Sequence, residues 1–201
     1  MNRKMFLKRS ALTVLGMSMV GSVVKAEDGK FSGDCKTTSD ILGPFYRPDA
    51  PLRSDLTSPD LAGNRITVKG RVFAGDCETP LTNAKVEIWH CDSEGNYDNE
   101  SKDFNQRAQL MTTDQGVYSF YTIFPGKYLN GKEYRPAHVH FRVTAKGHQE
   151  LVSQLYFKGD PHIASDKWAS DKNAALRIKE IIPENVNGDL SLNFDIYLAY
   201  S

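Results

Sequence analysis

His138 and His140 stand one residue apart in YRPAHVHF, a segment that otherwise alternates like a β-strand. Successive strand side chains point to opposite faces, so residues i and i+2 share a face. His138 and His140 therefore point together, while Val139 and Phe141 point away. Two imidazoles on one face can converge on a single metal ion. Taken alone the pattern is weak, because two ordinary histidines on a strand's polar face give the same spacing. Pro136 stiffens the approach and keeps the chain extended, which delivers Arg135 close to the same point. The plainer reading of Arg135 is a surface charge.

Other donors must complete a shell around such a metal. The chain has five histidines and three cysteines, with no C-x-x-C and no H-x-x-x-H pair. Tyrosines are better placed: Tyr97 ends WHCDSEGNY and Tyr128 ends FPGKY, in the turn before the histidines. A phenolate is a hard anionic oxygen donor, suited to ferric iron more than to zinc or copper(I). A free phenol titrates near pH ~10, so only strong metal binding holds it deprotonated at neutral pH. Taken singly, the plainer reading of each tyrosine is a packing residue. A zinc hydrolase is disfavoured, because no Asp or Glu is placed as its general base.

Strands must position these residues. Residues 27–60, centred on LGPFYRPDAPLRSDL, read as an irregular arm anchored by Phe45, Tyr46 and Leu52. From Arg65 onward the pattern predicts strands in ITVKGRVFAG, NAKVEIWHC, GVYSFYTIF, AHVHFRVTA, LVSQLYF and LSLNFDIYLAY. Residues 164–182 carry the only helix signal. Short strands between Gly/Pro turns predict an all-β, antiparallel sandwich or barrel. GRVFAGDCETPLTNAKVEIW and TTDQGVYSFYTIFPGKY resemble the transthyretin-like and prealbumin-like β-sandwich modules. Many of those only bind or scaffold, so a metal-free exported binding or structural module is the alternative to an enzyme.

The 201 residues suit one globular domain, and 25 basic against 25 acidic residues give a formal net charge of zero. That balance argues against a nucleic-acid partner. Residues 1–26 read as an export signal, with a basic start, an apolar run from Ala11 to Val24 and a cleavage site after Ala26. The run is too short and Gly-interrupted for a stable membrane span. RKMFLK resembles the twin-arginine motif with Lys4 in place of its second arginine, and an ordinary Sec signal fits as well. The domain then covers 61–201, and the destination is the periplasm or the extracellular space. Cys35, Cys77 and Cys91 allow one disulfide and one buried thiol there, with the pairing open.

Together, EIWHCDSEGNY, TTDQGVYSFYTIFPGKY, YRPAHVHF and SQLYFKGDP resemble the intradiol ring-cleavage dioxygenases, the protocatechuate and catechol dioxygenase family. The match runs from about Leu42 to Pro161 and includes the arm. It implies a non-haem Fe(III) held by Tyr97, Tyr128, His138 and His140. It also implies that Arg135 stabilises the reacting catecholate, that Tyr128 takes part in catalysis, and that Gln154 is the active-site glutamine. Ile41 and Pro44 correspond to a wall of the substrate pocket. The implied activity cleaves a catechol-type 1,2-diphenol with O2 between its hydroxylated carbons, giving a muconate-type diacid. Which catechol is used stays open, as does a homo-oligomer. His90 is expected to pack, and His148 and His162 to lie in loops or at the surface.

Overall fold

The computed structural model describes residues 25–27, 30–32, 35–170, 172–185 and 188–201. The export signal expected at 1–26 lies outside them, apart from Lys25 and Ala26. A short hairpin, β1 (Lys25–Glu27) with β2 (Lys30–Ser32), precedes the arm. One five-stranded sheet runs β11 (Ile178–Lys179), β10 (Leu151–Phe157), β9 (His138–Thr144), β4 (Lys85–Trp89), β5 (Arg107–Met111). The other holds β12 (Ile182–Pro183), β13 (Leu190–Asn193), β3 (Arg65–Phe73), β14 (Ile196–Tyr197) and β6 (Val117–Ile123), which pairs with β3. A two-stranded hairpin, β7 (Tyr128–Asn130) with β8 (Glu133–Arg135), leads into β9.

Both sheets turn one face into a single core. Ile66, Val68 and Val72 alternate inward along β3 and meet Val86, Ile88, Val139, Phe141, Val143 and Leu155 of the opposite sheet. Fully burying a side chain such as Phe141 contributes about 1.5–3 kcal/mol. The expected alternation on β9 is therefore observed, with Val139 and Phe141 in the core.

The sheet containing β9 is buried on its outer face as well. Glu87, Trp89, His138, His140, Gln154 and Tyr156 lie on that face, and all six are buried. The arm covers part of it: the Tyr46 hydroxyl donates to Glu87 at 2.9 Å and the Gln154 amide donates to the Ile41 carbonyl at 2.9 Å. Leu56 of the arm joins the core itself. Cys35 in the arm is bonded to Cys77, and Cys91 is the buried free thiol.

Three expectations change. The sheets are not wholly antiparallel, since β11 pairs parallel with β10, and β13 and β14 pair parallel with β3. Parallel neighbours need a long crossover, and the excursion through residues 158–177 supplies the first. The helix expected at 164–182 is a 3-10 segment, Lys172–Arg177, followed by β11 and the start of β12. Asp166 is committed instead to turn hydrogen bonds with Trp168 and Ala169, and Ile178 pairs with Tyr156 in the sheet. Tyr128 is not in a turn but opens β7.

Gly70 allows β3 to run against the break between β13 and β14. A Cβ there would lie 2.0 Å from the Phe194 carbonyl oxygen. Backbone lies on both sides of that clash, so no rotamer relieves it. Gly70→Ala is expected to lose about 1–3 kcal/mol of stability, read as a lower urea midpoint; an unchanged midpoint contradicts this packing.

Candidate metal centre

The four rings singled out in the sequence meet at one place. His138 and His140 lie with centroids 4.8 Å apart, and Tyr128 is 5.7 Å from His138. Tyr97 is 5.6 Å from Tyr128 and 6.1 Å from His140. The Tyr97 hydroxyl lies 3.3 Å from His138 Nε2. His138 Nδ1 lies 2.7 Å from the Pro136 carbonyl, which only accepts, so Nδ1 carries the proton and Nε2 keeps its lone pair. Proline thus does more than stiffen the approach.

Electrostatics leave both imidazoles neutral. Burial, reinforced by Arg135, lowers His138 to a pKa of about 3. Burial, then His138 and Arg135, drives His140 well below its ordinary value. Burial pushes the Tyr97 phenol well above 10, so only a strong cation would hold it as phenolate.

Two loops present the tyrosines, and they interlock through backbone. The Asp92 carboxylate accepts from the amides of Glu94 and Asn96 at 2.9 and 2.8 Å, turning the chain toward Tyr97. At Gly95, with φ +94°, a Cβ would lie 2.3 Å from the Lys127 carbonyl oxygen, next to Tyr128. Phe45 from the arm stacks on Tyr97 at 4.2 Å and meets Tyr128 edge-on at 5.7 Å.

Arg135 lies directly across the β7–β8 hairpin from Tyr128. It is 2% exposed, which removes the surface-charge reading. Its Nε donates to Asp166 at 2.7 Å, and Nη2 donates to Gln154 Oε1 at 3.0 Å and to the Tyr156 hydroxyl at 2.9 Å. Trp168 packs under the guanidinium at 4.4 Å. Burial alone would lower this arginine's pKa; the Asp166 hydrogen bond, together with the charge interactions with Tyr156 and Asp166, holds the value up. The Tyr156 hydroxyl donates in turn to Asp40, which is paired with buried Arg177. Asp166, Tyr156, Asp40, Arg177, Trp168 and Trp89 were not singled out from the sequence. Only SQLYF, which puts Gln154 and Tyr156 on one face, carried a readable signal.

Ile41 reaches the site through its carbonyl on Gln154, and it lines a cleft of about 670 Å³ with Trp168, Lys36 and Lys167. Pro44 is exposed in the neighbouring turn. The other histidines lie apart from the four rings: His90 is bound to the Cys91 carbonyl and the Thr122 hydroxyl, His148 packs by Tyr200, and His162 by Tyr134.

The donor set fits a cation. Among the described residues no group of three or more His, Cys, Asp or Glu forms a metal-holding cluster, so a metal at this point would recruit the phenols. Donors bonded at about 2.0–2.2 Å to one ion stand roughly 2.8–3.6 Å apart. The 3.3 Å between the Tyr97 hydroxyl and His138 Nε2 falls in that range. Two neutral imidazoles with two phenol oxygens make a hard, mixed N/O set of the kind iron favours.

A family described as Dioxygenase matches residues 41–199. A chlorocatechol 1,2-dioxygenase of Rhodococcus opacus is 33% identical over 161 residues, covering 68% of this chain and 62% of that protein. The chain belongs to the intradiol ring-cleavage dioxygenase family. A catechol 1,2-dioxygenase of Acinetobacter baylyi is 34% identical over 165 residues, 70% of this chain and 52% of that protein. The dioxygenase domain of a carbohydrate-binding fusion from Streptomyces sp. SirexAA-E superposes with a TM-score of 0.72 at 30% identity, covering 83% of this chain and 99% of that one. Intradiol dioxygenases generally depend on non-haem iron. This member spans only 52–62% of the length of the two curated relatives.

The Arg135–Asp166 pair predicts a pH-dependent stability. Burial opposes the Asp166 charge, but hydrogen bonds from Arg135, Ala169 and Trp168 outweigh it and hold the carboxyl below its ordinary 3.8. Its contribution is therefore present above pH 3.8 and is lost as pH falls through the lowered value. Asp166→Asn strands a buried guanidinium and should cost about 3–5 kcal/mol at pH 7. The urea-midpoint difference from wild type should shrink on acidification below about pH 4. A difference that stays constant with pH contradicts the pairing.

Proposed function

We propose that this protein is a non-haem ferric dioxygenase that cleaves a catechol-type 1,2-diphenol between its hydroxylated carbons, placing both atoms of O2 in a muconate-type diacid. The convergence of Tyr97, Tyr128, His138 and His140 on one point carries this reading. Family membership supports it, and the matched relatives are named for chlorocatechol and catechol. These four residues would hold the metal. A ferric ion held there would supply Lewis acidity that makes the ring of a bound diphenol reactive toward O2.

The chain's own groups do the rest. His138 stays a fixed donor, because the Pro136 carbonyl holds its proton on Nδ1. Tyr128, across the hairpin from Arg135, would help hold the metal and would take a substrate proton at its phenol oxygen. Arg135 presents a guanidinium held by Asp166, Gln154 and Tyr156 to the negative charge that develops on the ring. Gln154 fixes that orientation and ties it to the arm through the Ile41 carbonyl. The Ile41 side chain forms part of the substrate wall, and Pro44 stands beside it. The arm, with Phe45 stacked on Tyr97, keeps water from the reacting face. The Cys35–Cys77 disulfide supports export to an oxidising compartment by the N-terminal signal.

Turnover of catechol under ¹⁸O2 tests the reaction: both labelled atoms should appear in the diacid. One labelled atom, or no diacid from the iron-loaded protein, contradicts it. Arg135→Leu should keep iron and bind catechol yet react with O2 about 10²–10³-fold more slowly in a single turnover. A wild-type rate there removes Arg135 from catalysis.

A further inference from the structure

The two histidines are held by different means. His138 has the Pro136 carbonyl on Nδ1. His140 differs: its Nδ1 is buried and, among the described residues, without a partner. A metal-bound imidazole almost always donates its second N–H to an acceptor, which fixes the ring's orientation. Something else must fix His140.

Trp89 is placed to do so. It lies directly opposite His140 across the β4–β9 pairing, on the same sheet face. The indole and the imidazole are stacked, 4.7 Å between centroids and 7° from parallel. The indole is itself confined, being 2% exposed and packed by the edge of Tyr46 at 5.1 Å. Among the described residues its Nε1 is also buried without a partner, so packing holds both rings. Gly43 of the arm closes on the imidazole: a Cβ at that position would lie 3.3 Å from His140 Cε1.

We propose that Trp89 is a positioning residue for His140, orienting by stacking an imidazole that no hydrogen bond orients, with Gly43 leaving it just enough room. This inference rests on the ferric reading of the site. It makes the two histidines unequal donors. His138, its N–H accepted by a carbonyl, is the more basic; His140, its second nitrogen unaccepted, is the weaker and the more sensitive to ring rotation.

The test uses the purified iron-loaded protein and follows loss of ferric ion to EDTA by the visible tyrosinate band. Trp89→Leu should release iron about 10–100-fold faster, the usual loss for a group that orients a ligand. Trp89→Phe keeps a flat face against His140 and should stay near the wild-type rate. Gly43→Ala presses a methyl group on Cε1 and strains the backbone at φ +73°, and should also speed release and shift the band. Thermal melting of the metal-free variants separates loss of metal from loss of fold. A folded Trp89→Leu protein with wild-type release overturns the proposal, as does Trp89→Phe releasing as fast as Trp89→Leu. If Trp89→Leu does not fold, unchanged release and band in Gly43→Ala overturns it. A wild-type protein lacking iron and the band would sink the ferric reading itself.

Discussion

Strand β9 is paired on both sides, and the register of those pairings decides which side chains meet. His140 faces Trp89 of β4 and Gln154 of β10, while His138 faces Tyr156. A slip of one residue would turn both histidines into the core and move Val139 and Phe141 to the outer face in their place. The apolar alternation of Val139, Phe141 and Val143 forbids that slip, because each is fully buried among residues of both sheets. The hydrophobic core thus aims the imidazoles.

Having an outer sheet face that is also buried creates a second demand. Polar groups placed there need partners, and unpaired charges there are costly. Arg135, Asp166, Tyr156, Asp40 and Arg177 answer this as one network of opposite charges joined through hydroxyl and amide. Such networks are weak contributors to net stability, since desolvation offsets much of their attraction. Their effect is positional: a guanidinium with several fixed partners cannot swing away. The same network ties the arm to the strand that carries Gln154, so arm and site are assembled together.

Local pattern made much of this legible. The pattern marked β3, β4, β6, β9 and β10 as strands, and HVHF gave the direction of both histidines. The resemblance to the intradiol family selected Tyr97 and Tyr128, which no periodicity marks: Tyr97 lies in a loop, and Tyr128 opens the three-residue β7 beside the close approach of Gly95. Strand β5, RAQLM, lacks β-branched residues and exists because β4 pairs with it. The helix signal at 164–182 lost to tertiary contacts, chiefly the parallel pairing of Ile178 with Tyr156. Asp166 was illegible for the same reason: a carboxylate 31 residues from its arginine leaves no trace in local spacing.

The central claim is that two phenols and two imidazoles hold one ferric ion. The most direct measurement is the visible resonance Raman spectrum of the purified protein together with its metal content. Phenolate ring modes enhanced within a red-brown absorption band, with iron near one per chain, are the expected result. A colourless protein, or one whose iron shows no phenolate modes, would contradict it.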